Sequence, residues 1–303
     1  MKRLALVARP GDEGERLDRF IAARGAVSRG LARRAIEQGG VFLDGRRCKV
    51  ASKQVRAGYE ITVNLEEAGR APEPAAPLDR ARLLFADEHL VAVDKPAGVA
   101  AQATLTSDRG TLPLLVSALL GHEVTLVHRL DRETSGVTVL ARTPQATVAL
   151  AEAFRAGAPE KTYLALCARP PSPAEGRLEA AIGKDPRRPG LRQIAPGGDA
   201  AATRYRTLAT GWAALVEARP ETGRTHQIRV HLAHLGAPLL GDPRYGGPRM
   251  VGAVSVPRVM LHARRLELTH PITGAPLAFE APVPEDFRAV AAALELRPEG
   301  ALP

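Results

Sequence analysis

A chain of 303 residues, of which 45% are hydrophobic and 25% charged, has the composition of a globular protein that buries a core. Its two cysteines, Cys48 and Cys167, are too few for a disulfide scaffold or a cysteine-based zinc site. The net charge of +9 is uneven, because residues 1–65 hold 14 Lys and Arg against 7 Asp and Glu, a net charge of +7. A small basic module beside a nearly neutral larger part favours binding to a polyanion, although a solvated surface in an arginine-rich protein is the alternative.

The apolar stretches of the sequence are short. None of them approaches the ~18 residues that a membrane span requires, and the apolar residues 4–8 are too few for the core of a signal peptide. We therefore expect a cytoplasmic protein with no membrane partner, and we expect it to act as a monomer.

The first predicted domain, residues 1–65, combines two short helices with a hairpin. Ser28 is the predicted N-cap of the second helix, which ends at Gly39. The hairpin that follows turns at Asp44-Gly45. Basic side chains on the second helix and the hairpin are predicted to contact nucleic acid, the alternative for each being a solvated surface charge: Arg29, Arg33, Arg34, Arg46, Arg47 and Lys49.

A linker and a larger domain are predicted to follow. Residues 66–78 lack periodicity and hold three prolines, which is typical of a semi-rigid linker. The larger domain covers residues 79–290, and residues 291–303 have the pattern of a tail. Because its predicted elements do not alternate strictly, an α+β fold is favoured over a doubly wound parallel one. These elements are strands at 83–85, 90–93, 136–141, 161–167, 202–208, 213–218 and 260–268 and helices at 144–156 and 225–235.

The most unusual stretch is residues 127–136, VHRLDRETSG. Asp131 lies there between two apolar runs, in a predicted loop before a strand, where functional side chains gather. Arg129, Arg132 and Glu133 flank it. A nearby arginine stabilises the ionised form of a partly buried carboxylate, as a nucleophile or base requires. From these residues alone, a structural ion pair at a turn is the alternative.

The string HRLD followed by TSG closely resembles the signature of the RluA-type pseudouridine synthases. Similarity to that family runs from about residue 83 to residue 282 through several separate motifs. Residues 1–65 resemble the small, ribosomal-S-four-like RNA-binding domain. The motifs of the larger domain are LVAVDKPAG at 90–98, KTYLA at 161–165, PETGRTHQIRVHLAHL at 220–235, GDPRYG at 241–246, LHA at 261–263 and HP at 270–271.

The resemblance implies a role for four residues. Asp131 would be the essential catalytic carboxylate, and Arg229 would pair with it and hold it charged. Tyr163 would stack on the target uracil with its hydroxyl near the base, although a half-buried aromatic residue is the alternative from the strand pattern. Arg129 would enter the space that a uridine leaves when it swings out of its helix.

The fold and activity implied by the resemblance are equally specific. We expect a mixed, largely antiparallel sheet in the catalytic domain, preceded by the small α/β RNA-binding domain. The expected reaction converts specific uridines of large-subunit ribosomal RNA to pseudouridine. The alternatives are a pseudouridine synthase that acts on transfer RNA and a non-catalytic RNA-binding factor for ribosome assembly. An Asp-nucleophile hydrolase is disfavoured because no metal ligands or water-activating dyad accompany the aspartate.

An isomerisation requires few chemical groups beyond the catalytic residues. Since nothing is oxidised, hydrolysed or energised, we expect no metal, nucleotide or redox cofactor. The spacing of His226, His231 and His234 does not suit a zinc site. Lys95 and Lys161 are left out of the catalytic set, a solvated surface charge being the alternative for each.

Overall fold

The computed structural model describes residues 2–65, 76–103, 105, 107 and 109–296. These form two compact units, one within residues 1–77 and 102–115 and the other within residues 78–101 and 116–303. Most of the predicted linker at 66–78 lies outside the described residues. The larger predicted domain is not continuous, because 102–115 belongs to the first unit, where Arg109 Nε donates to the carbonyl O of Glu37 at 3.3 Å.

Six α-helices and eighteen strands lie in the described residues, and none of the helices is long and apolar enough to cross a membrane. The helices are α1 (Leu17–Gly25), α2 (Arg29–Gln38), α3 (Leu112–Leu120), α4 (Pro144–Ala156), α5 (Gln227–His234) and α6 (Glu285–Ala293). The strands are β1 (Lys2–Val7), β2 (Val41–Leu43), β3 (Arg46–Arg47), β4 (Glu60–Leu65), β5 (Leu83–Ala86), β6 (Leu90–Lys95), β7 (Thr125–Leu126), β8 (Ser135–Ala141), β9 (Glu160–Cys167), β10 (Glu175–Glu179), β11 (Ile182–Lys184), β12 (Arg192–Ile194), β13 (Ala202–Thr210), β14 (Ala214–Pro220), β15 (Met250–Val251), β16 (Val254–Ser255), β17 (Leu261–Thr269) and β18 (Pro276–Glu280).

The first unit places α1 and α2 with a four-stranded antiparallel sheet in the order β1-β4-β2-β3. The predicted second helix is confirmed, since Ser28 Oγ accepts from the Leu31 amide and Gly39 ends the helix in the left-handed region. Phe20 and Ile36 are fully buried in the core, and each such side chain contributes about 1.5–3 kcal/mol. Strand β1 was not predicted; it pairs with β4, whose residues lie about sixty positions later in the chain, and the local sequence does not indicate that pairing.

The second unit contains a ten-stranded sheet in the order β10-β13-β14-β9-β17-β8-β6-β5, with β18 on β17 and β7 on β8. Strands β8 and β17 run parallel, and the other named pairs are antiparallel. This confirms the predicted α+β fold with a mixed, largely antiparallel sheet.

One row of residues across this sheet sets the position of the catalytic candidates. Gly136 on β8 lies opposite Ala263 on β17, which lies opposite Tyr163 on β9, which lies opposite Ala218 on β14. Gly136 has a φ of +114°, and a Cβ there would lie 2.2 Å from the Ala263 carbonyl O. Only glycine fits that conformation and approach, and so the loop that ends at β8, with Asp131, is held near Tyr163.

The chain is ordered beyond the predicted end of the larger domain. Helix α6 buries Phe287 completely, and Leu294 and Leu296 after it are only 1% and 2% exposed in the same apolar cluster. The predicted tail at 291–303 therefore begins too early. Leu294 and Leu296 are buried in the core, but the polar residues next to them in the sequence made this segment resemble a tail. Residues 297–303 lie outside the described residues.

His262, at the start of β17, is fully buried between the strands of the site. Its Nδ1 lies 3.0 Å from Ser135 Oγ and its Nε2 3.4 Å from the Ala281 carbonyl O. Burial lowers the pKa of His262 to about 4, whereas an unfolded histidine titrates near pH 6.5. Between these values the unfolded chain binds a proton that the folded chain does not, so the free energy of unfolding falls as the pH drops from about 6.5 towards 4.

We expect His262→Gln to flatten this pH dependence by about 1.4 kcal/mol per pH unit between pH 6 and pH 5. Urea denaturation of the wild type and the variant at pH 7, 6 and 5 measures the difference. Equal slopes in both proteins would contradict a neutral His262 in the fold.

Candidate active site

Asp131 lies on the wall of a cavity of about 410 Å³ in the second unit. A turn after it, closed by the Thr134 amide donating to the Asp131 carbonyl O at 3.1 Å, leads into β8. Its side chain is 20% exposed, and its Oδ2 accepts from Arg229 Nη1 at 2.9 Å. The carboxylate is therefore open to the cavity on one side and held by a cation on the other.

Arg229, on helix α5, binds two carboxylates at once. Its Nε and Nη2 donate to both oxygens of Asp242 at 2.7 and 2.9 Å, while its Nη1 holds Asp131. The side chains of Arg229 and Asp242 are 6% and 1% exposed. Burial opposes the charge of the guanidinium, but Asp242 and Asp131 together raise the pKa of Arg229 above its ordinary value. A bidentate pair of this kind fixes the plane of the guanidinium, and hence the position of the Asp131 carboxylate.

Helix α5 carries polar side chains although most of its residues are buried. Gln227 Nε2 donates to the Ala202 carbonyl O at 2.9 Å and to Thr203 Oγ1 at 3.0 Å. His231 lies with Nδ1 2.9 Å from Thr203 Oγ1 and Nε2 3.0 Å from the Ala180 carbonyl O. Since buried polar groups must be hydrogen-bonded, these contacts fix the rotation of α5 about its axis and with it the direction of its guanidinium group.

Lys95, at the end of β6, links the segment after β6 to Arg132, the residue that follows Asp131. It is fully buried, and its Nζ donates to the carbonyl oxygens of Pro96, Val99 and Arg132 at 3.0, 2.9 and 3.2 Å. Burial lowers the pKa of Lys95 to about 7, while the charge of Asp131 acts in the opposite direction. The alternative of a solvated surface charge does not hold for Lys95, because the three carbonyls replace water around the ammonium group.

Tyr163 projects from β9 into the same cavity and is half-buried. Burial, and then the negative charge of Asp131, raise the pKa of Tyr163 above its ordinary value. Apolar side chains of Ile228 and Leu261 lie in the same wall, and Phe154 stacks on His128 at 4.2 Å between ring centroids. An aromatic ring among apolar walls is suited to a flat, partly polar ring such as a nucleobase.

Two further cations lie on the cavity. Arg129 is exposed and makes no hydrogen bond or ion pair within the described part of the chain. Lys161 is half-buried there, and burial lowers its pKa, so it is not a fully solvated surface charge. Both can face an anion brought to the mouth of the cavity.

The basic side chains predicted on α2 are not equivalent. Arg29 donates from Nε and Nη2 to Asp18 Oδ2 at 3.0 and 2.9 Å, and Asp18 is only 1% exposed. Arg33 pairs with Glu37 one turn later at 2.8 Å, whereas Arg34 is exposed with no ion pair among the described residues. The structure therefore gives Arg29 a structural contact and leaves Arg34 open to a partner.

The hairpin shows the same division. Arg47 Nη1 donates to the Gly39 carbonyl O, and its guanidinium lies 4.9 Å from the centroid of the Phe42 ring. Arg46 is exposed and has no ion pair in the described residues, and Lys49 is exposed as well. These hairpin cations lie in the first unit and take no part in the cavity.

Sequence reasoning assigned no role to three residues around the aspartate. Asp242 holds Arg229, His226 Nε2 lies 3.8 Å from Asp131 Oδ2, and Tyr245 donates to or accepts from His226 Nδ1 at 2.7 Å. The sequence feature that could have indicated these three residues is the motif at 220–246, in which polar residues interrupt an apolar pattern. Within the described residues, no group of three or more His, Cys, Asp or Glu side chains is arranged to hold a metal ion.

We expect Arg229→Met to lower the free energy of unfolding by about 3–5 kcal/mol, because it leaves the buried Asp242 without its counter-ion. Asp242→Asn in the same chain should recover part of the loss, since an amide carries no charge. Urea denaturation of the wild type, both single variants and the double variant measures the coupling.

A matched control is Arg288→Met, which breaks an exposed pair with Glu285 and should cost at most about 1 kcal/mol. Strictly additive losses for Arg229 and Asp242 would contradict the coupling.

Comparison with known proteins agrees with these observations. Residues 89–234 match the family model described as RNA pseudouridylate synthase, and residues 15–61 match the model of the S4 domain. A relative from Chloroflexus aurantiacus, named an uncharacterized RNA pseudouridine synthase, is 41% identical, with 96% of this chain and 94% of the relative covered. The ribosomal large subunit pseudouridine synthase D of Xanthomonas campestris is 37% identical, with 86% and 82% covered. The solved structure of human RNA pseudouridylate synthase domain containing 4 has a TM-score of 0.59 at 29% identity and covers 72% of this chain and 94% of its own.

Proposed function

We propose that this chain, which belongs to the RNA pseudouridylate synthase family and carries an S4 domain at its N-terminus, converts particular uridines of large-subunit ribosomal RNA to pseudouridine. The family membership predicted from the sequence is confirmed, and the chain is an RNA pseudouridine synthase. The choice of ribosomal RNA is supported by the name of the Xanthomonas campestris relative. We propose the cytoplasm as its place of action, since its proposed substrate is part of the ribosome.

The reaction is an isomerisation within one nucleotide. The N-glycosidic bond of the uridine breaks, the uracil turns in the cavity, and its carbon 5 forms a bond to the ribose. The hydrogen of carbon 5 is then lost to solvent as a proton, and the uracil nitrogen N1, freed from the ribose, gains one. We assign the chemical step to Asp131, whose carboxylate can attack the sugar or the base or remove a ribose proton. The observation that carries this assignment is the 2.9 Å contact of Arg229 Nη1 with Asp131 Oδ2. It holds the carboxylate at the wall of the cavity, where a bound uridine can reach it.

The target uridine must leave its stack to reach this carboxylate. Extrusion of a base costs a few kcal/mol and is cheapest in a loop or a distorted helix. Tyr163 supplies an aromatic face for the extruded uracil. Arg129, exposed at the cavity and without an ion pair in the described residues, is suited to enter the space left in the RNA.

A non-catalytic RNA-binding role is the second candidate. It predicts that the aspartate, the tyrosine or the arginine of the site has been lost. Asp131, Tyr163 and Arg229 are all present in the chain, and Arg229 holds Asp131 at hydrogen-bond distance. An intact set favours catalysis over binding alone.

We expect Asp131→Asn to abolish the release of tritium from RNA labelled at carbon 5 of uridine, lowering the single-turnover rate at least about a thousandfold. RNA affinity, measured by filter binding, should stay unchanged because the amide keeps the size of the carboxyl group. The matched control is Asp199→Asn, the same change at an exposed aspartate, which should release tritium at the wild-type rate. Undiminished release by the Asp131 variant would refute its role.

We expect the double variant Arg34→Ala and Arg46→Ala to bind ribosomal RNA more weakly and with a shallower salt dependence, because each lost phosphate contact lowers the slope of log affinity against log salt by about 0.7–0.9. Arg29→Ala should instead lower the free energy of unfolding, since its partner Asp18 is buried. Filter binding at several salt concentrations and urea denaturation separate the two effects. Equal salt slopes for the wild type and the double variant would contradict docking through these side chains.

We expect the loss of pseudouridine at one or a few positions of large-subunit ribosomal RNA when the gene is deleted from its own organism. Mapping of pseudouridine in ribosomal and transfer RNA of the deletion strain and its parent provides the measurement. Loss confined to transfer RNA would support the alternative substrate.

A further inference from the structure

His226 lies between two groups of the site. Its Nε2 is 3.8 Å from Asp131 Oδ2, the oxygen that Arg229 also holds, and its Nδ1 is 2.7 Å from the hydroxyl of Tyr245. The imidazole is only 11% exposed and lines the cavity. The distance to Asp131 is longer than a hydrogen bond, although catalytic contacts often tighten only when substrate is bound.

The hydrogen bonds around Tyr245 decide which nitrogen of His226 carries the proton. The backbone amide of Arg192, on β12, donates to the Tyr245 hydroxyl oxygen at 2.9 Å. The hydroxyl proton of Tyr245 then has His226 Nδ1 as its acceptor, since no other acceptor for it lies within hydrogen-bond distance in the described residues. In a neutral imidazole an accepting Nδ1 requires the proton on Nε2, the nitrogen that faces Asp131.

The charges around the ring keep it neutral. Burial lowers the pKa of His226 to about 4, and the cations Arg229 and Arg244 act in the same direction. The carboxylates of Asp131 and Asp242 oppose them without overcoming them. At pH 7 the side chain therefore presents an uncharged N–H donor to the cavity.

The backbone of His226 is strained in a way that suits this placement. His226 precedes helix α5 in the left-handed region, with φ +59° and ψ +20°, and its side chain makes no capping hydrogen bond. That conformation is uncommon for residues other than glycine, although asparagine, aspartate and histidine adopt it more often than other side chains do. Such strain is often found where a side chain is held for function.

Tyr245 contacts both groups that face Asp131. Its ring lies edge-on to His226, with centroids 5.6 Å apart, and the Arg229 guanidinium lies 5.0 Å from its centroid. One aromatic side chain thus orients the cation and the imidazole together.

We infer that His226 is a positioning residue for the catalytic carboxylate: it presents its Nε2 proton to Asp131 Oδ2, and Tyr245 keeps the proton on that nitrogen. The inference rests on the proposed role of Asp131. In this arrangement Asp131 Oδ2 receives one N–H from Arg229 and a second from His226, so the rotation of the carboxylate is restricted before the uridine enters.

The tautomer can be read directly. We expect long-range ¹H–¹⁵N spectra of the full chain with ¹⁵N-labelled histidine at pH 7 to show His226 with its proton on Nε2, the signal being assigned by its loss in His226→Gln. Tyr245→Phe removes the hydroxyl proton, and part of the His226 signal should move to the Nδ1–H form. A wild-type His226 protonated on Nδ1 or on both nitrogens would overturn the inference.

A matched pair of variants tests the effect on the reaction. In His226→Gln the amide nitrogen falls near the position of Nε2 and can still donate towards Asp131, whereas in His226→Asn the amide falls near Nδ1 and cannot. We expect single-turnover tritium release by the Gln variant to be at least about tenfold faster than by the Asn variant, at equal RNA affinity.

The backbone makes this comparison stringent. Asparagine tolerates the left-handed region better than glutamine. If the variants differed only in folding, the Asn variant would therefore be the more stable and the more active one. Urea denaturation measures the stability of each variant separately. Equal rates for the two variants, or a difference explained by RNA affinity, would overturn the inference. Absence of tritium release from the wild type would instead refute the proposed function, and the tautomer would still be decided by the spectra.

Discussion

The site depends on a single guanidinium that binds two carboxylates. Arg229 gives Nε and Nη2 to Asp242, which is almost fully buried, and Nη1 to Asp131, which is open to the cavity. Removing either partner of the buried pair would leave an unpaired charge in the interior, which strongly destabilises the fold. Asp242 therefore anchors the cation, and the cation anchors the carboxylate proposed to react.

The elements around this pair explain why so many polar side chains are buried. Gln227 and His231 bind helix α5 to β13 and to the segment before β11. Lys95 binds the carbonyls of Pro96 and Val99 and that of Arg132, next to Asp131. Each contact satisfies a buried group and at the same time removes a degree of freedom from the site. Stability and pre-organisation for the reaction thus come from the same hydrogen bonds.

The S4 domain illustrates how net charge overstates the surface available to RNA. Its +7 charge includes Arg29, which is held by the buried Asp18, and Arg33, which is paired with Glu37. Arg34 and Arg46 are exposed without an ion pair in the described residues, and they retain their full charge for a phosphate. A cation that stabilises the fold and one that binds RNA are identical in a charge count, since only the position of the nearest carboxylate separates them.

The sequence alone predicted features that depend on residues close together in the chain. These were the Ser28 cap, the end of the helix at Gly39, several strands, and the motif around Asp131 that indicated the family. Tertiary structure alone decided the rest. The contact of Arg229 with Asp131 joins residues 98 positions apart, the burial of Lys95 depends on three carbonyls from two loops, and Leu294 and Leu296 join a core that their polar neighbours concealed. Backbone preferences act over a few residues. The pairing of charges and the packing of a core depend instead on which strands become neighbours in the sheet, and the spacing of residue types along the chain does not directly specify the strand order.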